Sequence, residues 1–467
     1  AIAEPAEDRH DVVRVTLYNR RPMKVYFSNL GCKLNQAELE HLARSFRGAG
    51  FSLVGELAQA DLHVVNTCSV THVAARDSRK MARRGRRLNP EVRTVLTGCY
   101  VTADPQEAAS LAGVDLVVAN QDKEALLERV CTAFPDLVPP STRATRLSVP
   151  FVPIEFGNSR TLVKIEDGCD MRCAFCIIPQ TRGKQRSRPF DTIVREVADL
   201  SRGGFREVVI TGVQISSYRW GPKRLFDVVE QLLLSEDQSR LRLTSIAPWQ
   251  LDRRLLGLFG DSRLCRHLHF SLQSGCTETL KRMRRPYSAP EFEALVREVK
   301  SEIPGIAITT DMIVGFPGET DEEFEESLRF VEQVEFARVH AFPFSARPGT
   351  EAASLADQVP HAIKRQRMGR MLEIAESCSK RFEGRHLGAE VEVLWESCRD
   401  GIWQGTSDNY IRVLKQSAEP LANQLRRERL LEASARGVFC QPADQIQATL
   451  ATQVPKHSPN QETTPSP

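Results

Sequence analysis

Three cysteines stand close together in the middle of the chain. Cys169, Cys173 and Cys176 have CxxxCxxC spacing and follow an apolar segment typical of a β-strand. Three thiolates on one loop can bind three irons of a [4Fe-4S] cluster and leave the fourth iron open for another ligand. A closed zinc site would need a fourth protein ligand, and no His or Cys follows within the next turn. The spacing therefore favours an iron–sulfur cluster, and its open iron indicates catalysis.

Three further cysteines are dispersed, but each follows an apolar segment near the start of the chain. Cys32, Cys68 and Cys99 occur in NLGCK, NTCSV and TGCY. Parallel strands end at one edge of a sheet, the usual ligand position of open α/β sheets, so we expect these cysteines to meet there. A single buried cysteine is ordinarily a core residue, whereas three in one setting favour a shared cluster. The other six show no shared spacing and are assigned to packing or surface: Cys131, Cys265, Cys276, Cys378, Cys398 and Cys440.

Positive charge is concentrated in three short runs, although the formal net charge is only +3. The runs lie within residues 71–90, 182–188 and 281–285. Such runs neutralise phosphates, and although one run is ordinarily a solvated helix face, three beside the cysteine loops favour an RNA partner. A tyrosine and an arginine near the C-terminus could add a nucleotide contact, although a tyrosine there is commonly a core residue. The predicted RNA-binding residues are Arg79, Lys80, Arg83, Arg84, Arg186, Arg188, Tyr410 and Arg412.

The elements that position these residues form three predicted domains, as expected for 467 residues. Residues 22–136 alternate short apolar runs with helical patterns, which predicts an open parallel α/β sheet domain. Residues 159–384 repeat the alternation six times, which predicts a partial (β/α)6 barrel. Residues 385–450 change to period-two alternation, which predicts a small antiparallel β-barrel. A flexible extension (1–21), a proline-rich linker (137–158) and a disordered tail (451–467) complete this α/β organisation.

Polar residues and glycines collect just after the predicted barrel strands. A barrel of this type carries its chemistry at that end, so we expect the active site there. Glycines at these points let the backbone approach a ligand closely, although a plain turn explains each one equally well. The strand-end residues are Glu166, Gly212, Ser245, Gln273, Gly315 and Ser345.

The composition excludes several classes of protein. With 41% hydrophobic and 26% charged residues, the chain is neither collagen-like, coiled coil nor membrane-spanning. Its opening residues lack the charged-then-apolar pattern of a secretion signal. We therefore expect a cytoplasmic protein with no membrane partner. In that compartment, the 12 cysteines are unlikely to form a disulfide framework and are better interpreted as metal ligands where they cluster.

The cysteine loop at the start of six β/α units resembles the radical S-adenosylmethionine (SAM) superfamily. In that superfamily the open iron binds SAM, and an electron from the cluster cleaves SAM to a 5′-deoxyadenosyl radical. The resemblance implies that Cys169, Cys173 and Cys176 bind the catalytic cluster and that Phe175 lines the adenine side of SAM, although an aromatic residue there could equally be core packing. It also implies that SAM is surrounded by Thr211, Gly212, Ser245, Gln273 and Asp311. Gln214 stands where relatives often have Asn or His, so its contact is left open.

Seven segments in order narrow the resemblance to the methylthiotransferase family. They are NLGCKLNQAE, NTCSVTHVAARDSR, TGCY, GCDMRCAFCIIPQTRGKQRSRP, HLHFSLQSGCTETLKRMRR, TTDMIVGFPGET and HAFPFSARPGT. The resemblance covers about residues 23–438 and implies a methylthiotransferase domain, a radical SAM domain and a TRAM domain. It also implies that Cys32, Cys68 and Cys99 bind a second [4Fe-4S] cluster, whose free iron carries the sulfur to be transferred.

The expected reaction is the addition of a methylthio group to C2 of N6-threonylcarbamoyladenosine at position 37 of tRNA, as in the MtaB branch of the family. The resemblance implies tRNA, an electron donor such as flavodoxin or ferredoxin, and a sulfur donor as partners. A radical is needed because no general base removes an unactivated aromatic hydrogen at neutral pH. The alternatives are N6-isopentenyladenosine at the same position, an aspartate of a ribosomal protein, or a non-catalytic iron–sulfur protein that binds RNA and senses oxidation.

Overall fold

The computed structural model describes residues 23–138, 159–235 and 239–441. The predicted extension at 1–21, nearly all of the predicted linker at 137–158 and the predicted tail at 451–467 lie outside the described residues. Within the described part of the chain, no helix is long and apolar enough to cross a membrane.

The N-terminal domain is a parallel five-stranded sheet with helices on both faces. Its strands are β1 (Lys24–Asn29), β2 (Ser52–Leu53), β3 (Leu62–Thr67), β4 (Arg93–Gly98) and β5 (Leu116–Val118), in the order β2-β1-β3-β4-β5. Its helices are α1 (Lys33–Gly48), α2 (His72–Leu88), α3 (Cys99–Ala103), α4 (Pro105–Ser110) and α5 (Leu126–Ala133), with 3₁₀ turns at Leu57–Gln59, Asn120–Ala125 and Pro135–Leu137. Neighbouring residues Val64 and Val65 of β3 belong to separate apolar clusters, because successive side chains point to opposite faces of the sheet.

The central domain is a partial barrel of six parallel strands, as predicted. Four short strands form two separate antiparallel pairs, β7 (Glu166–Asp167) with β8 (Arg186–Ser187) and β10 (Arg219–Trp220) with β11 (Lys223–Arg224). The six barrel strands are β6 (Arg160–Lys164), β9 (Glu207–Thr211), β12 (Arg240–Leu243), β13 (His267–His269), β14 (Ala307–Val314) and β15 (Arg338–Pro343). The main strands form two groups, β6-β9-β12 and β13-β14-β15, and parallel bridges from Leu241 to Leu264 and from Ile246 to Phe270 join the groups. Strands β6 and β15 are therefore the two edges of an open barrel.

Helices cover the convex side of this barrel. Apart from the short helices α6 (Ile178–Arg182), which contacts α3 of the N-terminal domain, and α13 (Glu351–Ser354), which packs near Ala174, they are α7 (Phe190–Arg202), α8 (Leu225–Leu233), α9 (Arg254–Leu258), α10 (Thr277–Arg282), α11 (Ala289–Glu302), α12 (Asp321–Val334) and α14 (His361–Arg385), with 3₁₀ turns at Ile215–Ser217 and Pro248–Gln250. Leu241, Leu268 and Val339 belong to the large apolar core that these helices share with the strands. The residues that alternate with them face the concave side.

Helix α1 of the N-terminal domain packs against the concave side of the barrel. Its Ala37 forms a small buried cluster with Leu162 of β6 and Val209 of β9. Neighbouring residues Val163 and Val208 instead join the core under the barrel's own helices. The N-terminal domain therefore fills part of the open barrel, and its sheet edge lies beside the barrel interior.

The C-terminal domain is one curled six-stranded sheet. Its strands are β16 (Glu390–Arg399), β17 (Ile402–Ser407), β18 (Arg412–Gln416), β19 (Leu425–Arg429), β20 (Glu432–Ser434) and β21 (Gly437–Phe439), in the order β19-β16-β17-β18-β21-β20. Only two residues separate the edge strands β19 and β20, so the sheet must curl until its edges approach. All neighbouring strands are antiparallel except β18 and β21, which are parallel and depart from the fully antiparallel barrel that we predicted. The reason is that β19 and β20 run in the same direction, as one bent strand passing from one edge to the other.

Candidate active site

The three dispersed cysteines lie at the carboxyl edge of the N-terminal sheet. Cys32, Cys68 and Cys99 follow β1, β3 and β4, which are adjacent strands. Gly31 has a φ of 104°, and a Cβ at this position would lie 2.8 Å from the Cys68 Sγ, so glycine lets the two loops meet. Burial raises the pKa of the Cys32 thiol and raises that of Cys68 to about 11, and the nearby Cys99 adds to both shifts.

The CxxxCxxC loop lies at the carboxyl end of the first barrel strands. Cys169, Cys173 and Cys176 line one cavity of about 380 Å³. Burial raises the pKa of Cys176 to about 12, while the Cys173 Sγ accepts a hydrogen bond from Arg285 Nη1 at 3.4 Å. Before this loop, Gly168 has a φ of 73°, and a side chain there would collide with the carbonyl oxygen of Lys184.

The chemistry of both sets of cysteines is compatible with iron–sulfur clusters. Among the described residues, no group of three His, Cys, Asp or Glu side chains surrounds a position for one ion. A [4Fe-4S] cluster has no such requirement, because each thiolate binds a different iron. Cations that stabilise thiolates lie close to each set, since the charge of Arg182 offsets part of the rise that burial causes in the pKa of Cys32 and Cys68, and Arg285 lies beside Cys173.

A buried ionic network joins the two cysteine loops. At its centre, Arg182 Nη1 lies 2.8 Å from Glu38 Oε1 and 2.9 Å from Asp167 Oδ1, and Nη2 donates to Asn35 Oδ1 at 2.6 Å. Glu38 and Asn35 belong to α1, and Arg182 ends α6. Asp167 precedes the CxxxCxxC loop, which we call the radical loop. One guanidinium therefore holds the N-terminal domain against the barrel between the two sets of cysteines.

Two lysines complete this network. Lys123 Nζ lies 2.6 Å from Glu38 Oε2, and Lys164 Nζ lies 3.1 Å from Glu38 Oε1. Burial alone would raise the pKa of Glu38, but the charges of Lys123, Arg182 and Lys164 hold it well below its usual range. Three largely buried cations thus face two carboxylates, Glu38 and Asp167, and the positive excess suits anionic thiolate ligands. Spacing along the sequence gives no sign of this network, because its members are far apart along the chain.

Four of the five predicted SAM-contacting strand-end residues line a single cavity of about 400 Å³. They are Thr211, Gly212, Ser245 and Asp311, and Cys32 of the N-terminal domain lines the same cavity. A Cβ on Gly212 would lie 2.8 Å from Glu166 Oε2, so only glycine fits beside that carboxyl group. Burial raises the pKa of Glu166 to about 8, and its Oε2 accepts a hydrogen bond from the Gln214 N–H at 2.8 Å.

Two strand-end residues have backbone conformations that are uncommon outside glycine. Ser245 has a φ of 55° and Gln273 a φ of 78°. Gln273 is buried, its N–H donates to the Asp311 carbonyl at 2.8 Å, and its carbonyl accepts from the Ile313 N–H at 2.9 Å. Strained conformations of this kind gather at functional sites. The predicted adenine neighbour Phe175 is half-buried and packs against an apolar cluster that contains Phe316.

The remaining cavity lining includes residues that sequence analysis did not select: Lys33, His267, His269 and His340. His269 Nε2 lies 3.2 Å from Asp311 Oδ2, and its Nδ1 lies 3.0 Å from Thr309 Oγ1. Burial would raise the pKa of Asp311, but the hydrogen bond from His269 outweighs it and the pKa is lowered. Period-two alternation in the sequence could have identified these histidines. In HLH of β13 and RVH of β15, a buried apolar residue stands between two polar ones, which therefore face the other side of the strand.

The predicted RNA-binding residues do not share one environment. Lys80, Arg83 and Arg84 are exposed on α2, and Arg412 is exposed on β18. The others already have protein partners: Arg79 lies 3.5 Å from Glu107, Arg186 lies 3.3 Å from Asp167, Arg188 lies 2.7 Å from Glu196, and Tyr410 lines the 400 Å³ cavity. Arg412 Nη1 also donates to the Arg436 carbonyl at 3.5 Å, so among the described residues only the three on α2 are predicted RNA-binding cations with no ion pair or hydrogen bond.

Comparisons with known proteins agree with this arrangement. The Radical SAM superfamily matches residues 163–331, and Uncharacterized protein family UPF0004 matches residues 24–119. A relative from Bacillus subtilis (strain 168), named threonylcarbamoyladenosine tRNA methylthiotransferase MtaB, is 33% identical over 88% of this chain and 94% of its own length. The protein of the same name from Aquifex aeolicus (strain VF5) is 35% identical over 80% of this chain and 92% of its own.

The fold also resembles that of a solved radical SAM enzyme. The structure of the radical S-adenosylmethionine methyltransferase TsrM from Kitasatospora setae has a TM-score of 0.54, with 16% identity over 71% of this chain and 75% of that one. This likeness confirms the predicted α/β fold class. Because the MtaB relatives exceed 30% identity over nearly their whole length, the chain belongs to the methylthiotransferase family of radical SAM enzymes.

Proposed function

We propose that this protein adds a methylthio group to C2 of N6-threonylcarbamoyladenosine at position 37 of tRNA. One observation carries the proposal: Cys32, a predicted ligand of the sulfur-bearing cluster, lines the same cavity as Thr211, Gly212, Ser245 and Asp311. An adenine base bound in that cavity would lie close to both SAM and the sulfur-bearing cluster. The names of the MtaB relatives, which include threonylcarbamoyladenosine and tRNA, support this choice of substrate.

Two [4Fe-4S] clusters and SAM are the proposed cofactors. Cys169, Cys173 and Cys176 would hold one cluster, and Cys32, Cys68 and Cys99 the other. When bound, this set supplies the radical that removes the C2 hydrogen and the sulfur that replaces it. The protein's own contribution is position: Gly212 leaves room for the buried carboxyl group of Glu166 beside the cavity, and the carboxylate of Asp311, held ionised by His269, can accept hydrogen bonds from SAM.

The exposed basic face of α2 is the proposed surface for the tRNA backbone. Lys80, Arg83 and Arg84 project from a helix that begins four residues after Cys68. Positive side chains there would bind phosphates while the modified base enters the cavity. An electron donor such as flavodoxin or ferredoxin, a sulfur donor and a cytoplasmic location are also part of the proposal.

Mass spectrometry of tRNA nucleosides tests the proposal. The gene is expressed in a host that lacks its own methylthiotransferases, and the same gene carrying Cys68→Ala serves as the control. We expect the methylthio form of threonylcarbamoyladenosine with the unaltered gene alone. Modification of the isopentenyl nucleoside instead would keep the chemistry and reject the substrate. No change in any tRNA nucleoside would reject the tRNA reaction and favour the ribosomal protein or the redox sensor.

A further inference from the structure

Few charged side chains line the 400 Å³ cavity, and one of them has no charged partner. The charged residues in the lining are Lys33, Arg182 and Asp311. Arg182 is paired with Glu38 and Asp167, and Asp311 with His269. Lys33 forms no hydrogen bond or ion pair with any of the described residues, and it is exposed. The cavity therefore offers a free ammonium group to a ligand.

The aromatic ring of Tyr410 fixes where this positive charge lies. Lys33 Nζ is 5.6 Å from the ring centroid, and Arg338 Cζ is 5.4 Å from it. The ring is stacked on His267, with centroids 4.2 Å apart and planes inclined by 19°. A third cation at the ring, Arg242, is neutralised by Glu207, because its Nε lies 2.8 Å from Glu207 Oε1. Cation–π contacts hold Lys33 in the cavity lining and Arg338 beside the same ring, outside the lining, and such contacts leave the charge of the cation in place.

The positive charges near Tyr410 shift the pKa values of neighbouring side chains. Burial would raise the pKa of the Tyr410 hydroxyl, but Lys33 and the neighbouring arginines outweigh it and lower the pKa. Burial lowers the pKa of His340, the Asp311 carboxylate partly offsets this, and His269, Arg338 and Lys33 lower the pKa further. His340 is therefore neutral at pH 7 and can act as a hydrogen-bond donor or acceptor. This end of the cavity suits an anion that also carries a hydroxyl or amide.

The proposed substrate carries such a group. The threonylcarbamoyl substituent on N6 ends in a carboxylate and a hydroxyl, whereas an isopentenyl substituent is wholly apolar and would leave these polar groups without partners. Lys33 directly follows Cys32 in the chain, so a base whose C2 is near Cys32 can have its N6 substituent near the ammonium.

We propose that Lys33, assisted by Arg338, binds the carboxylate of the threonylcarbamoyl group and thereby selects this nucleoside. The inference rests on the proposed function and adds a specificity-determining residue to it. Tyr410 and His267 act as positioning residues, because their stacked rings set where the ammonium lies.

The test compares two RNA substrates with the enzyme carrying both clusters. One is an anticodon stem-loop containing N6-threonylcarbamoyladenosine at position 37, and the other is the same RNA with the threonine carboxylate as its methyl ester. We expect the wild type to prefer the acid by about tenfold or more in kcat/KM, which corresponds to about 1.4 kcal/mol. Lys33→Met should lose about tenfold on the acid alone, and Lys33→Arg should retain most of the preference.

Two further variants complete the design. Arg338→Met should lower kcat/KM for the acid, with little effect on the ester, and it keeps the test valid if changes beside Cys32 disturb the cluster. Lys380→Met, an exposed lysine of α14 paired with Glu376, is the matched control and should change neither value. Iron content and SAM cleavage without RNA are measured for every variant. Lys380→Met should match the wild type in both, and a loss of either in Lys33→Met would show that the change disturbs the cluster, in which case Arg338→Met decides the test.

The outcomes separate this inference from the proposed function. If the wild type modifies acid and ester equally well, or if Lys33→Met and Arg338→Met each slow both RNAs equally, the carboxylate site is rejected while the methylthiotransferase reaction stands. If the wild type modifies neither RNA, the proposed function is rejected, and so is the proposal that Lys33 binds the substrate carboxylate.

Discussion

Cys173 is the radical-loop cysteine whose sulfur already accepts a hydrogen bond from an arginine, Arg285. Cys173→Ala removes one of three thiolates from this loop and leaves Cys32, Cys68 and Cys99 untouched. We expect SAM cleavage to be abolished while about half of the bound iron remains, since the second cluster has its own ligands. Formation of 5′-deoxyadenosine and iron per chain are the measurements. Retained cleavage would refute the cluster assignment.

Cys68→Ala separates the second site from the first. Cys68 is buried where the loop of Gly31 approaches its sulfur, and it belongs to the N-terminal sheet edge alone. We expect the variant to cleave SAM but to transfer no sulfur to RNA, as judged by mass spectrometry of the product. Cys398→Ala, an exposed cysteine of β16, is the matched control and should behave as the wild type. An unchanged methylthio product from Cys68→Ala would remove the second site from the mechanism.

At the residue scale, local spacing decided what the sequence could predict. The loop cysteines share an eight-residue segment, and Cys32, Cys68 and Cys99 each follow a strand, so one rule predicted each set. Arg182 and Lys33 follow no such rule. Arg182 was part of a basic run, yet its partner Glu38 lies 144 residues away, and Lys33 becomes notable only because Tyr410 folds back over it.

At the element scale, strand periodicity predicted the six-stranded barrel, but not what occupies its concave side. The inward residues of β9 and β12 include charges that can be buried only because they pair with each other. Glu207 Oε1 lies 2.8 Å from Arg242 Nε, and Glu207 Oε2 lies 2.6 Å from Arg240 Nη2. Arg240 and Arg242 also donate to carbonyls of residues 406–408 in the C-terminal domain. Sequence patterns cannot show such pairing, because it depends on how the domains dock.

Glu207→Gln tests this buried pairing. The change leaves Arg240 and Arg242 buried without a carboxylate, so the free energy of unfolding at pH 7 should fall by about 3–5 kcal/mol. Urea denaturation followed by circular dichroism measures it. Glu298→Gln breaks the exposed pair with Arg253 and should cost at most about 1 kcal/mol. Equal effects of the two variants would show that the Glu207 pair contributes no more than a surface pair.

The same pair predicts a pH dependence. Burial alone would raise the pKa of Glu207, but Arg242 and Arg240 hold it far below its usual range. A lowered folded-state pKa gives stability that is complete above the unfolded-state value, about 4.3, and is lost as the pH falls further. The difference in unfolding free energy between wild type and Glu207→Gln should therefore be constant from pH 7 to about 5 and shrink below about pH 4. A constant difference down to pH 3 would contradict this origin.

For the whole molecule, the fold class followed from the order of the elements, but the docking of the domains did not. Helix α1 was predicted as part of the N-terminal layer, and the structure places its Ala37 against the barrel strands. The alternation of β18 likewise could not reveal its parallel pairing with β21, because that pairing depends on how the sheet curls. Both features depend on contacts between distant segments, which periodicity does not encode.

Arg182→Met should loosen the N-terminal domain from the barrel. Arg182 contacts Asn35 and Glu38 of α1 on one side and Asp167 on the other. Its loss removes a cation that contacts both buried carboxylates and leaves them to Lys123, Lys164 and the exposed Arg186. We expect amides of α1 to exchange hydrogen for deuterium faster, while those of α12 are unchanged. Arg367→Met, which removes a buried arginine paired with Glu319 inside the central domain, is the matched control and should leave α1 protected. If Arg182→Met instead speeds exchange equally in α1 and α12, the network supports the whole fold and is not specific to the domain interface.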